Sequence, residues 1–367
     1  MTETDDAAED LAHAIRRRIQ TRGPLTFAEF MEAALYDRGG GFYSTSPLGE
    51  NGHFVTSPLV SPAFGVLVAR QIEEFWELLD KPDEFWVVEI GAGDGTLAGQ
   101  ILDFLPAAAR GAARYVAIER GAAGRDAMQH LDATVLEELR AAPGQLTGCV
   151  IANELLDNVP FHRVRGTERG PVELYVGLDG EDLALIEGPV SSPEISSLAP
   201  SLVSGQEAVV QPHALALVDQ ACALLERGYV WLVDYGFTGG ARPSVPHGYR
   251  AHRLETDLLT DPGSRDITAG VDFDLIAARA RGAGHAVWGP VPQRDALLRL
   301  GYRQLDEEAR TRQLQAASEG RGIEANRIYS ARSRATLLVD PQALGGFLVL
   351  CLGIGVAVSP SSTREVG

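Results

Sequence analysis

The sequence predicts an α/β protein built on a mostly parallel, doubly wound sheet. Three observations predict it. Apolar runs of strand length alternate with amphipathic helical stretches along most of the chain. One such run, residues 85–90, ends in the glycine-rich turn Gly91-Ala92-Gly93-Asp94-Gly95 and opens into a helix-compatible segment. Two later runs, 114–119 and 148–152, end in acidic or amide residues, at the carboxyl ends of strands where open α/β sheets bind ligands.

The run 85–90 (Phe-Trp-Val-Val-Glu-Ile) is β-branched and aromatic, as a strand buried on both faces requires. Glu89 interrupts it. A carboxylate is too costly to bury without a partner, so this one calls for a cation or donor. Gly91, Gly93 and Gly95 permit positive φ and close approach of another molecule. From Thr96 the segment 96–105 presents unpaired helix N-terminal N–H groups to whatever occupies the turn. The dinucleotide pattern Gly-x-Gly-x-x-Gly fails, because Thr96 stands where its last glycine belongs. Gly-x-Gly-x-Gly, preceded by an acid two positions before the first glycine, is similar to the S-adenosylmethionine loop of class I methyltransferases. In that loop the acid helps hold the cationic amino group of the methionine moiety. The plain alternative is an ordinary glycine-rich strand-to-helix turn.

At 367 residues the chain is long enough for one large domain with insertions or for two domains. A net charge of −18 argues against a nucleic-acid partner, and favours a cationic substrate only weakly. Cys149, Cys222 and Cys351 each sit in an apolar run without metal-type spacing, which reads as buried reduced thiols in a reducing compartment. Residues 1–10 are acidic and polar, with no signal-peptide pattern; they read as a disordered tail on a cytoplasmic protein. The longest apolar run, 343–358, is too short and too rich in glycine to span a membrane, and reads as a buried strand region. No internal repeat and no signature of a particular oligomeric state appear.

In chain order, 11–20 reads as a helix with Arg16, Arg17 and Arg18 on a solvated face, and Gly23-Pro24 breaks it. Thr26 and Glu29 form a capping box for a helix over 27–36, which the glycines at 39–41 end. A Gly/Ser/Pro-rich loop then carries Phe42, Tyr43, His53, Phe54 and Thr56-Ser57-Pro58, whose aromatics need burial. A strongly amphipathic helix over 61–79 completes a helical cap of about 80 residues. Glu119 lies 24 residues beyond Gly95, where a doubly wound fold places the carboxylate that binds ribose hydroxyls; a surface glutamate is the alternative. A helix follows near 125–131. The strand 148–152 ends in Asn153-Glu154-Leu155-Leu156-Asp157-Asn158, a cluster well placed for an acceptor, or for a helix cap at Asn153. Residues 161–188 alternate as an inserted β-hairpin or small antiparallel sheet, 191–204 as a connection, 214–227 as a helix and 229–233 as a buried strand ending in Asp234-Tyr235-Gly236. The loop 242–266 holds His247 and His252 without metal-ligand spacing, so no metal is expected. Helices are expected over 272–282 and 293–317, with the last strands in 329–339 and from 343 onward.

With these segments in place the chain resembles the MidA-like (DUF185) methyltransferases, a family that includes a mitochondrial complex I assembly factor that methylates an arginine. The matching blocks are Thr26-Phe27-Ala28-Glu29-Phe30-Met31, Gly41-Phe42-Tyr43, Phe54-Val55-Thr56-Ser57-Pro58 with Phe64-Gly65, Glu89 to Leu97, Ala152-Asn153-Glu154 with Asp157 and Pro160, Asp234-Tyr235-Gly236, and Asp266-Ile267-Thr268-Ala269 with Val271-Asp272-Phe273. The resemblance implies a class I methyltransferase fold, a Rossmann-like doubly wound sheet with an N-terminal helical cap (1–82) and a transferase domain (83–367) carrying a small β insertion (161–205). It implies S-adenosyl-L-methionine as cofactor, a protein side chain as acceptor, and a Thr56-Ser57-Pro58 loop folded over the cofactor. Two positions depart from the family pattern: His53 and Leu59 stand where carboxylates are usual, which leaves a different acceptor open.

On this reading the cofactor binds to Glu89, Gly91, Ala92, Gly93, Gly95, Thr96, Glu119, Asn153, Thr56, Ser57 and Pro58. Methyl transfer is an in-line displacement in a dry cleft, so the enzyme's task is positioning. Glu154, with Asp157 second, is the candidate for localising charge on a guanidinium. Asp234, Tyr235 and Tyr43 are expected to line the acceptor channel. Two alternatives stay open: a small-molecule or peptide-tailoring methyltransferase, and a non-catalytic assembly protein that keeps the fold.

Overall fold

A computed structural model describes residues 3–45, 56–240, 245–250 and 253–364; side chains are described for these except 3–9, 45, 249–250 and 253–254. His53, Phe54 and His252 lie outside the described residues.

Seven strands form the central sheet: β1 (Phe85–Ile90), β2 (Ala113–Ile118), β3 (Thr134–Leu136), β4 (Leu146–Asn153), β5 (Leu225–Asp234), β6 (Ala286–Pro292) and β7 (Leu348–Ile354). Their order is β6-β7-β5-β4-β1-β2-β3. Only β7 runs antiparallel to its neighbours. The chain winds outward from β1 to β3, then returns to β4 on the other side of β1. That reversal makes a crevice at the carboxyl ends of β1 and β4. Register sharpens it: Ile90 pairs with both Ile118 and Ala152, and Val233 with Asn153, so these strand ends are flush.

Burial on both faces explains the apolar strands. Against one face pack the helices Pro62–Leu78, Thr96–Phe104 and Gln293–Arg299; against the other, Pro212–Leu224 and Phe273–Gly282. The helix Phe27–Tyr36 begins at the Thr26–Glu29 capping box read from the sequence. It packs with the helix Glu3–Arg22 onto a second, antiparallel sheet of His162–Thr167, Gly170–Asp179, Asp182–Gly188 and Glu207–Val210. Leu25–Thr26 pairs with Gly170–Asp179, so the cap contributes a strand to that sheet. Phe27 stacks on Phe161 at 5.6 Å, and the Arg163 guanidinium lies over Phe27.

Several expectations need correction. The acidic start is not a loose tail: the first helix runs from Glu3. Residues 329–339 form no strand. They belong to the helix Gly322–Ala335 and a 3₁₀ turn, and β6, which sequence reading missed, supplies the edge strand instead. The expected helix 293–317 is two, because Gly301 at φ +99° breaks it. The helix before β5 stops at Leu224, so β5 begins earlier than the apolar run alone indicates. Among the described residues no helix is long and apolar enough to cross a membrane.

Candidate active site

A cavity of about 1130 Å³ opens at the crevice between β1 and β4. Glu89, Gly91, Ala92, Gly93, Thr96, Glu119, Asn153, Glu154, Asp157, Tyr235, Tyr43, Thr56 and Pro58 all line it. Gly95, Ser57 and Asp234, expected in the same set, do not.

The three glycines have different reasons. Each has positive φ (+75°, +59° and +81° at 91, 93 and 95), which favours glycine. A Cβ on Gly91 would press on the tip of the Leu155 side chain at 2.8 Å, which can give, whereas one on Gly95 would meet Cγ of the buried Met128 at 2.4 Å, so packing dictates Gly95. A Cβ on Gly93 meets nothing within 4 Å; this glycine alone leaves its space to a ligand. Glu119 holds the loop from the next strand. Its Oε2 accepts from Gly93 N (2.9 Å) and its Oε1 from Gly121 N (2.6 Å).

Glu89 is buried, with Oε2 accepting from the Tyr115 hydroxyl at 2.6 Å. Burial pushes its carboxyl up to about 8, against that hydrogen bond. A buried carboxyl so reluctant to ionise, facing a cavity, fits a cationic ligand group that would restore its charge. Asn153 Oδ1 is likewise buried without a partner. Together with the space over Gly93, these groups leave room and acceptors for a ligand with a cationic end.

After β4 the chain turns sharply. Glu154 sits at φ +52°, a strained conformation for a non-glycine residue, and the 3₁₀ turn Leu156–Asn158 follows. Asn153 therefore caps no helix. Asp234, at the end of β5, holds the turn. Its buried Oδ2 accepts from the backbone N–H groups of Leu155 (3.0 Å), Leu156 (2.6 Å) and Asp157 (3.4 Å), and Oδ1 accepts from Tyr235 N. Expected as an acceptor contact, Asp234 is an anchor turned away from the cavity; only its neighbour Tyr235 faces it. Ser57 is also an anchor, since its backbone N–H donates to Glu154 Oε1 at 2.7 Å. Asn153 Nδ2 donates to the same oxygen at 3.1 Å. Burial raises Glu154 to about 7, and these donors oppose the rise. Asp157 Oδ2 accepts from the Thr268 hydroxyl at 2.6 Å, while Oδ1 is buried without a partner; burial raises this carboxyl to about 6.

Sequence reading missed part of the lining. Tyr36 stacks on Tyr43 at 5.5 Å, and Arg120 lies over Tyr36 at 4.1 Å while ion-pairing with Glu32. Glu137, Glu138 and Leu139 follow β3, a strand of three residues too short to show periodicity. His162 and His213 come from the inserted sheet and the helix after it. Asp266 and Thr268 had a signal, the Asp-Ile-Thr-Ala block, whose packing onto the Asn153–Asn158 turn only the fold reveals: Ala269 N donates to Asp157 O, and Asn158 Nδ2 to Ile267 O.

Comparison with known proteins agrees with this geometry. A family profile described as "Putative S-adenosyl-L-methionine-dependent methyltransferase" matches residues 67–291. A curated relative from Drosophila melanogaster, named protein arginine methyltransferase NDUFAF7 homolog, mitochondrial, is 28% identical over 91% of this chain and 82% of its own length. The Homo sapiens protein arginine methyltransferase NDUFAF7, mitochondrial, is 27% identical over 77% and 71%. A crystal structure from Burkholderia thailandensis, described as "a COG1565 superfamily member and likely methyl transferase" bound to S-adenosyl-homocysteine, superposes with a TM-score of 0.86 at 25% identity, covering 99% of this chain and 96% of that one. One expectation falls here: a cytoplasmic protein was anticipated, whereas these curated relatives are named as mitochondrial. The glycine loop, the buried Glu89 and the profile spanning most of the sheet lead to one assignment: the chain belongs to this family of S-adenosyl-L-methionine-dependent methyltransferases.

Proposed function

We propose that this methyltransferase acts on an arginine side chain of a protein, with Glu154 and Asp157 meeting the guanidinium. The observation that carries the reading is the pair of carboxylates after β4, Glu154 and Asp157, with Asp157 Oδ1 buried and unpartnered. A buried acceptor without a donor costs about 1–3 kcal/mol. A guanidinium brings five N–H donors in one plane and no acceptor. The names of the fly and human relatives, both protein arginine methyltransferases, support the same class.

The cofactor supplies an activated methyl group on a sulfonium centre. The rest falls to this chain. Glu154 binds the guanidinium edge, draws its charge towards the bound nitrogens and leaves a lone pair on the nitrogen to be methylated. That nitrogen sheds a proton, and a carboxyl raised to about 7 is suited to receive it. Asp157 takes a further donor, Asn153 and Glu89 fix the cofactor's amino acid end, and Tyr43 and Tyr235 wall the acceptor. Residues 1–82 then serve as the cap over an 83–367 transferase domain, with 161–205 as its insertion.

The test is to incubate the enzyme with methyl-labelled S-adenosylmethionine and a protein extract of its host, then hydrolyse the proteins. Label in methylarginine is expected. Label in another amino acid, or only in low-mass compounds, would overturn the acceptor assignment. Glu154→Gln is expected to abolish turnover and leave S-adenosyl-homocysteine affinity within a few-fold; affinity collapsing with turnover would remove Glu154 from the chemistry.

A further inference from the structure

Between β6 and β7 the chain inserts a helical hairpin, Tyr302–Ser318 and Gly322–Ala335, that takes no part in the cavity. It buries little of itself. Within the two helices only Tyr302, Ala316, Ala325 and Ala335 are buried. Such a hairpin has almost no core of its own. It also shows apolar side chains to solvent. Of the ten large hydrophobic residues exposed among the described residues, four lie in 302–337: Leu314 (59%), Ile323 (76%), Tyr329 (58%) and Leu337 (40%). That concentration in about a tenth of the chain marks a contact surface.

Charge identifies the occupant. Residues 302–337 hold seven arginines and five carboxylates, a net of +2, so the rest of a chain at −18 carries −20. Arg321 pairs with Glu319 and Glu324, and Arg332 with Asp306. Arg303, Arg310, Arg312, Arg327 and Arg334 are exposed and make no ion pair among the described residues. Exposed arginines beside a tyrosine and aliphatic side chains have the composition of an interface centre. The strongly acidic surface they complement is the body of this same chain.

We propose that the hairpin is a dimerisation arm, seating its apolar side chains and free arginines on the acidic body of a second copy, which returns the same contact. The test is the mass of the full chain in solution by light scattering at micromolar concentration. Twice the chain mass of 39.3 kDa is expected. Raising the salt from physiological to molar should weaken the dimer about tenfold or more, as the arginine contacts are screened. The paired substitutions Leu314→Glu with Tyr329→Glu, and separately Arg310→Glu with Arg327→Glu, should each give monomers that keep helical circular dichroism and S-adenosyl-homocysteine binding. A monomeric wild type would overturn the proposal, even if it captured an acidic foreign protein. So would a dimer that survives both variants, or one indifferent to salt.

Discussion

In the proposed binding mode, the buried Glu89 carboxyl makes cofactor affinity depend on pH. With the free protein's carboxyl raised to about 8, binding a cationic amino group below that pH requires a proton to leave. The ligand's ammonium keeps its charge through this range, because the carboxylate beside it holds its proton more firmly than an amide would. Affinity for S-adenosyl-homocysteine, measured by calorimetry, should therefore climb by up to about tenfold per unit from pH 6 towards 8 and level off above it, where Glu89 is already ionised. Glu89→Gln should flatten the acidic limb and weaken binding by about 1.5–3 kcal/mol, the range of a charge-assisted hydrogen bond. The loop glycines divide by cause in the same way. Gly93→Ala should cost about 1–2 kcal/mol of stability for its φ, and lower affinity by filling ligand space. Gly95→Ala adds a collision with the buried Met128; it should be the less stable of the two in urea.

The element that matters most is the turn from Asn153 to Asn158, held by Asp234 from β5. Three consecutive backbone N–H groups donate to one buried oxygen. Removing that oxygen leaves buried donors without partners, each costing about 1–3 kcal/mol. Asp234→Ala should lose at least about 3 kcal/mol by denaturant titration. Turnover should fall with it, because Glu154 and Asp157 ride on this turn. Its signature resembles that of a catalytic residue, so the stability measurement is what separates an anchor from an acceptor contact. Asp234-Tyr235-Gly236 was legible as important in the sequence. Its role was not, because an aspartate at a strand end can face a ligand or a neighbouring turn, and only packing chooses.

At the scale of the molecule, the site is assembled at a cost. Glu89, Glu154 and Asp157 are raised by burial to about 8, 7 and 6, from ordinary values of 4.5, 4.5 and 3.8. The folded chain thus holds protons that the unfolded chain has already released. Each contribution is fully present below the ordinary value and is lost as pH rises towards the folded one. In each window the slope is about 1.4 kcal/mol per pH unit. The ligand-free protein should therefore melt at progressively lower temperature from pH 5 to 8 in a calorimetric series. Saturating S-adenosyl-homocysteine should oppose the decline by meeting the Glu89 charge. A ligand-free melting temperature that rises across this range would show that these carboxyls do not govern stability.

The sequence by itself determined the parallel sheet, the glycine loop with Glu89, the carboxylate Glu119 at the end of the next strand, the capping box at Thr26 and the polar cluster Asn153–Asp157 at a strand end. Each is a local pattern: periodicity, φ-permissive glycines, or a polar residue at a strand end. The tertiary structure alone decided which glycine opens to the cavity, that Ser57 and Asp234 anchor rather than bind, and that the cap lends a strand to the inserted sheet. It also decided that residues 329–339 are helical, where an apolar run near the end of the chain read as a strand. These outcomes depend on neighbours far away in sequence, Leu155 over Gly91, Met128 over Gly95, the backbone of 155–157 around Asp234, and local pattern carries no record of who those neighbours are.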